Sequence, residues 1–172
     1  MGCGKRNFGS GWIHIDQSKF EHIDENNIFD FSYKNVDLIY ASHLISYFDY
    51  DTCSKLLEYW YSKLRIGGIL RLAVPNFRTI CQLYIDNKFS LESFVGPLYG
   101  RMVSDEKEIF HKFCYDQEQL TKLLLKLNYK NIRLWDHKKV DHGSFDDHSQ
   151  AYLPHMDKEN GTLISLNLEC EK

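Results

Sequence analysis

The chain opens on Gly2-Cys3-Gly4 and, twelve residues after the second glycine, reaches Asp16 at the end of the apolar run Trp12-Ile13-His14-Ile15. That spacing is the layout of a nucleoside-binding βα unit. A glycine turn lets backbone amides approach a ligand closely, and an acid ending the next strand can accept both ribose hydroxyls. The pattern then alternates. Residues 12–16 and 35–42 read as short buried strands, and Asp51-Thr52 starts a helix with Leu56, Leu57, Trp60 and Leu64 at helical spacing. Gly67-Gly68 is expected to end that helix. Residues 69–74 form the next strand, which Pro75 stops because proline cannot donate to a sheet ladder.

Further along, residues 18–27 are polar and carry at most a short strand or turn, and a helix is expected over 77–87 with Ile80, Leu83 and Tyr84 as its stripe. Residues 89–115 lack clean periodicity. A helix over 116–127 follows with Leu120, Leu123 and Leu124 inward, then a strand over 131–135, a polar segment over 136–160 and a last strand over 162–169. Strands alternating with helices give an α/β fold, a Rossmann-like doubly wound and mostly parallel sheet with flanking helices and an antiparallel last strand. The length suits one domain, with 89–115 and 136–160 as substrate-side insertions. Such a sheet needs a central strand just before the glycine turn, yet only Met1 precedes Gly2. Either the first central strand is missing or truncated, or the true start lies upstream.

A hydrophobic fraction of 43% and an aromatic fraction of 15% describe a folded globule. The net charge of -3, with no basic stripe, gives no general attraction to nucleic acid. No apolar run is long enough to span a bilayer and no signal-peptide core is present, so a cytoplasmic protein is expected. Five scattered cysteines without a Cys-x-x-Cys pair suit reduced thiols. Of the eight histidines, His142 and His148 lie near Asp146 and Asp147, but no standard ligand spacing supports a metal site.

Read together, the stretches GCGKRNFGSGWIHID, VDLIYASHLISYF and LLEYWYSKLRIGGILRLAVPNF, with the C-terminal SLNLEC, resemble the small, type-11-like class I S-adenosylmethionine-dependent methyltransferases. The resemblance implies S-adenosylmethionine as cofactor, with Gly2, Cys3 and Gly4 under its methionine part, Asp16 on its ribose and Asp24 or Glu25 near its adenine. Ala41, Ser42 and His43 end the second strand at the edge where open α/β sheets bind ligands. His43 is the candidate catalytic residue, able to orient or deprotonate an acceptor. Where many relatives read serine-histidine-valine-leucine-glutamate-histidine, this chain has Ser42-His43-Leu44-Ile45-Ser46-Tyr47, so the later glutamate and histidine are replaced.

Two polar clusters are candidates for the acceptor side: His111 with Tyr115, and Asp147 and His148 with Tyr152. Converging His, Asp and Tyr groups suit a small polar or phosphorylated acceptor, methylated at oxygen. Relatives of this compact type include enzymes that decorate surface polysaccharides, some of which methylate a phosphoramidate group destined for a capsule. Two other readings stay open. A nicotinamide-dependent dehydrogenase shares the glycine turn and the ribose acid but needs a third glycine, and here Lys5-Arg6-Asn7 follow Gly4. A catalytically inactive cofactor-binding scaffold or partner subunit is the other.

Overall fold

The computed structural model describes residues 1–104, 107–155 and 157–172. Positions 105 and 106 of the expected insertion at 89–115, and position 156 of that at 136–160, lie outside the described residues. The sheet grows from β1 (Val36–Ser42), whose apolar run alternates sides: Ile39 and Ala41 enter the main core, and Tyr40 faces the other way. A crossover through α1 (Tyr50–Lys63) returns the chain to β2 (Leu64–Pro75), parallel to β1 from Leu38↔Ile69 to Ser42↔Ala73. Asp49 caps α1 by accepting the Thr52 amide at 2.9 Å.

Helix α2 (Phe77–Ile85), capped by Asn76, is followed by α3 (Glu92–Tyr99), which ends at Gly100 in the left-handed region, φ 55°. A small hairpin, β3 (Met102–Ser104) with β4 (Lys107–Ile109), leads to α4 (Gln117–Lys126), capped by Asp116. Strand β5 (Lys130–Leu134) joins the sheet edge, and the ribbon of β6 (Tyr152–Leu153) with β7 (Thr162–Leu163) precedes β8 (Ser165–Glu171). The sheet order is β1-β2-β8-β5, with β8 antiparallel to both neighbours. This mixed sheet with flanking helices is the expected α/β arrangement, its last strand antiparallel.

One face of the sheet packs on α1 and α4 through Leu56, Leu57, Trp60, Leu120, Leu123 and Leu124, all at most 1% exposed. Burying side chains of this size contributes roughly 1.5 to 3 kcal/mol each. On the other face Tyr40, Ala73 and Trp135 pack against Phe8, Trp12 and Val140. A separate cluster joins α2 and α3 through Ile80, Leu83 and Phe94.

Three expected elements differ. Gly67-Gly68 does not end α1. The helix stops at Lys63, and Leu64 turns directly into β2 with φ −68° and ψ 144°. Residue 36 pairs with 64 and residue 38 with 69, so the glycines lie in a bulge of β2 that absorbs three extra residues. Gly67 takes φ +72°, and a Cβ on Gly68 would stand 3.0 Å from the Val36 carbonyl oxygen. Residues 12–16 form no strand, only an isolated bridge Ile15↔Glu25, because the ladder on their inner side is reduced to one bond from the Gly2 amide to the Ile15 oxygen at 2.8 Å. The last strand is interrupted at Ile164, whose amide donates to Ala151 and whose oxygen accepts from Asn76.

Candidate functional site

The glycine turn is fixed at both ends. The Met1 amino group donates to the Tyr40 oxygen at 2.8 Å and the Gly2 amide donates to the Ile15 oxygen at 2.8 Å. Consecutive N–H groups thus point to opposite neighbours, as in a strand. The chain then turns through positive φ at Gly2 (64°) and Gly4 (55°). A Cβ at Gly2 would meet the Leu44 side chain at 2.8 Å, whereas one at Gly4 would meet nothing within 4 Å. The space beside the Gly4 Cα is open, while its amide is taken by Asp16 and its oxygen lies 3.1 Å from His22 Nε2. Asp16 holds this turn: its Oδ2 accepts the Gly4 amide at 2.8 Å and its Oδ1 the Ser18 amide at 2.7 Å.

A cavity of about 290 Å³ begins beside this turn. Its polar end is formed by Gly2, Cys3, Arg6, Ser42, Asp147 and His148, at the carboxyl end of β1. From there it runs down the free edge of β1 to Val36, opposite Ile13 and Ile15. The polar end suits a ligand with hydroxyl or charged groups. Ser42 Oγ is buried there with no hydrogen-bond partner among the described residues, a hydroxyl left available to a ligand.

Asp147 is held from two sides. The Tyr40 hydroxyl donates to its Oδ2 at 2.5 Å, and its Oδ1 accepts the Ser149 amide at 2.8 Å. Burial first, and the Asp147 carboxylate second, push the Tyr40 hydroxyl well above its ordinary pKa, so it stays a donor. Arg6 Nε donates to the Asp146 oxygen at 2.8 Å, tying the loop after the glycine turn to the loop that carries Asp147 and His148.

His43 ends β1 with φ +50°, its Nε2 lies 3.2 Å from Ser165 Oγ, and its ring centroid is 5.2 Å from that of His148. Burial holds the His43 pKa well below its ordinary value, and the neighbouring His148, His111 and Arg6 add to the effect. The His148 pKa is lowered by burial and then by Arg6. Both rings are therefore neutral at pH 7.

Of the residues singled out from sequence, Gly2, Cys3, Ser42, Asp147 and His148 converge on the cavity. Gly4, Asp16 and His43 stand directly behind them. Ala41 is 1% exposed and faces the helix-side core. Asp24 accepts the His14 amide at 2.7 Å and thereby holds the segment before Asp16. Of the expected acceptor-side residues, Asp147 and His148 line the cavity and the other three do not. The His111 Nδ1–H donates to the Leu98 oxygen at 3.2 Å and its ring packs on Tyr47, while Tyr152 pairs with His137. Tyr115 is 0% exposed in the main core, because its backbone bridges Asn76 and turns the ring inward just before α4.

Sequence reasoning passed over Arg6, Tyr40 and the aromatic wall of Phe8 and Trp12. The alternation in 36–42 marked Tyr40 as facing away from Ile39, but its pairing with Asp147 spans 107 residues and leaves no local signal. Among the described residues no group of three or more His, Cys, Asp or Glu side chains could hold a metal ion, and no helix is long and apolar enough to cross a membrane.

No family model matches the chain, and no match is found among curated proteins. Among solved structures, the fold is similar to an S-adenosylmethionine-dependent methyltransferase from Methanosarcina mazei, at 15% identity and TM-score 0.50, covering 88% of this chain and 66% of that one. It is also similar to human N-acetylserotonin methyltransferase, solved in complex with S-adenosylmethionine, at 14% identity and TM-score 0.52, covering 90% of this chain and 35% of that one. The chain thus has the class I methyltransferase fold and spans about two thirds or less of the length of these structures.

Proposed function

We propose that this domain binds S-adenosylmethionine and transfers its methyl group to an oxygen of a small polar or phosphorylated acceptor, of the kind found among surface-polysaccharide precursors. The observation that carries the reading is the convergence of Gly2 and Cys3 of the turn with Ser42, Asp147 and His148 on one cavity, behind which Asp16 grips Gly4. The residues fit the cofactor: Gly2 and Cys3 bring backbone to the cavity, and Ser42 lines it with a buried hydroxyl that has no partner among the described residues.

When bound, S-adenosylmethionine supplies an electrophilic methyl group on a cationic sulfur. The protein has to align the acceptor and keep water out. Asp16 uses one lone-pair direction on each oxygen for Gly4 and Ser18, and the remaining ones are free to accept the ribose hydroxyls. His43, its ring 5.2 Å from that of the cavity-lining His148, is the candidate to take the proton of an acceptor hydroxyl. Arg6 gives the polar end a cation suited to a phosphorylated acceptor.

A cofactor-binding scaffold without turnover is the second reading. It is favoured by one observation: at the two positions where relatives have glutamate and histidine, Ser46 Oγ is buried without a partner among the described residues and the Tyr47 hydroxyl is spent on the Gly100 oxygen at 2.6 Å. Thermal-shift titration with S-adenosylmethionine and with NAD separates the readings from a dehydrogenase, and stabilisation by NAD alone would overturn the proposal. In a methyl-transfer assay His43→Ala should keep cofactor binding and lose about 10²-fold or more in turnover. Equal turnover would remove His43 from the mechanism, and no turnover by the wild type with any polar acceptor favours the scaffold.

A further inference from the structure

Three side chains behind the site form a hydrogen-bond chain whose proton directions are set by bonding alone. Asn167 Nδ2 donates to the Ser149 backbone oxygen at 3.0 Å. The opposite amide orientation would set Asn167 Oδ1 against that carbonyl, two acceptors facing each other, so Oδ1 must face Ser165. The Ser165 hydroxyl donates to Asn167 Oδ1 at 2.9 Å. A serine hydroxyl carries one proton, and once it is committed to Asn167 the oxygen can only accept from its other neighbour. That neighbour is His43 Nε2, 3.2 Å away.

Ser165 and Asn167 are 4% and 3% exposed, so water does not compete for these bonds. They sit two apart on β8, on one face, opposite Pro75 and Ala73 of β2. The His43 amide in turn donates to the Ala73 oxygen at 2.8 Å. The chain of bonds is therefore anchored on the adjacent strands β2 and β8, with His43 directly after β1 and Ser149 in a short turn at its far end.

We propose that Ser165 and Asn167 are positioning residues that hold His43 as its Nε2–H tautomer and leave the Nδ1 lone pair as the basic atom of the site. The logic is that of a nucleophile's base oriented by a third group. Here an amide and a hydroxyl take the place of a carboxylate, so the ring is oriented without a negative charge that would raise its basicity. The groups facing His43 from the packed elements are His148, His111, Arg6 and Ser165, none of them acidic. The assignment of the tautomer stands on the hydrogen bonds, and its use as a base rests on the methyl-transfer reading above.

Nitrogen-15 NMR of the side chains reads the tautomer in the protein alone, without cofactor or turnover. The expected wild-type spectrum has a protonated Nε2 and an unprotonated Nδ1 at His43, with the Nε2–H exchanging with solvent at least about tenfold more slowly than in Ser165→Ala. Ser165→Thr, which keeps the hydroxyl, should restore slow exchange. A protonated Nδ1 in the wild type, or equal exchange in Ser165→Ala, overturns the proposal. In the methyl-transfer assay Ser165→Ala should lower kcat about tenfold with the KM for S-adenosylmethionine unchanged, and Ser165→Thr should recover most of the loss. A loss that appears only in KM, or that Ser165→Thr does not recover, counts against a positioning role. If no methyl transfer is found at all, the methyl-transfer reading fails while the tautomer result still stands or falls on the spectrum.

Discussion

Asp16 Oδ2 accepts the Gly4 amide proton at 2.8 Å, so the acid and the glycine turn move as one unit. Asp16→Ala removes two charge-assisted bonds, to Gly4 and Ser18. It should weaken S-adenosylmethionine binding by at least about tenfold and cost about 1–3 kcal/mol of stability. Calorimetric titration checks the first effect and urea unfolding the second. Unchanged affinity would take Asp16 out of the cofactor site.

Tyr40→Phe keeps the ring but deletes the 2.5 Å bond to Asp147. Asp147 then retains only its bond from the Ser149 amide among those two, and a buried carboxylate is left short of a donor. Loss of about 1–3 kcal/mol is expected, together with faster hydrogen exchange in residues 145–150. Wild-type protection there would show that Tyr40 does not hold that loop.

Trp60 is 0% exposed in the main core and its indole N–H donates to the Ile28 oxygen at 3.0 Å. Trp60→Ala should destabilise by about 3–5 kcal/mol, through lost burial, a cavity and an orphaned carbonyl. Chemical denaturation measures it, and a loss below about 1 kcal/mol would contradict the packing described for α1.

The His142 ring stacks on Tyr40 at 4.1 Å and takes a hydrogen bond from Arg71 at 3.1 Å. Burial first, then the Arg71 charge, lower its pKa from 6.5 to about 4. Between those values the unfolded chain binds the proton and the folded one does not, so stability is full above pH 6.5 and falls as the pH drops toward about 4. His43, His148 and His111 are shifted the same way and steepen the fall. Denaturation midpoints at pH 7.5 and 5.0 should differ clearly, and equal midpoints would refute the buried, neutral state of these rings.

Local signals carried most of the framework. The apolar runs of β1 and β2, the helical stripe of α1 and the stop at Pro75 are properties of contiguous residues, and each lies within a few residues of its expected place. The Gly67-Gly68 bulge was illegible because glycine permits a helix end and a strand bulge alike, and only the register against β1 decides between them. At the site, the spacing from Gly4 to Asp16 pointed to a pair of ligand-binding residues, and in the fold the two bond each other, the Gly4 amide donating to Asp16 Oδ2. Tyr115 carried no such constraint: a tyrosine in an aperiodic stretch reads equally as pocket or core, and packing against Cys53 and Phe113 settled it. The bonds from Tyr40 to Asp147 and from His43 to Ser165 join residues more than 100 apart, where one-dimensional patterning has no reach.

Among the described strands β1 has a partner on one side only, yet its free edge lies at the bottom of a trough with Ile13 and Ile15 as the facing bank. Backbone donors and acceptors along such an edge ordinarily invite sheet-to-sheet growth between molecules. Here Ile13 and Ile15 line the same cavity as Val36 to Tyr40, and the Met1 amino group already bonds the Tyr40 oxygen. The chain's own N-terminal segment thus covers part of this edge and shields it from growth of that kind.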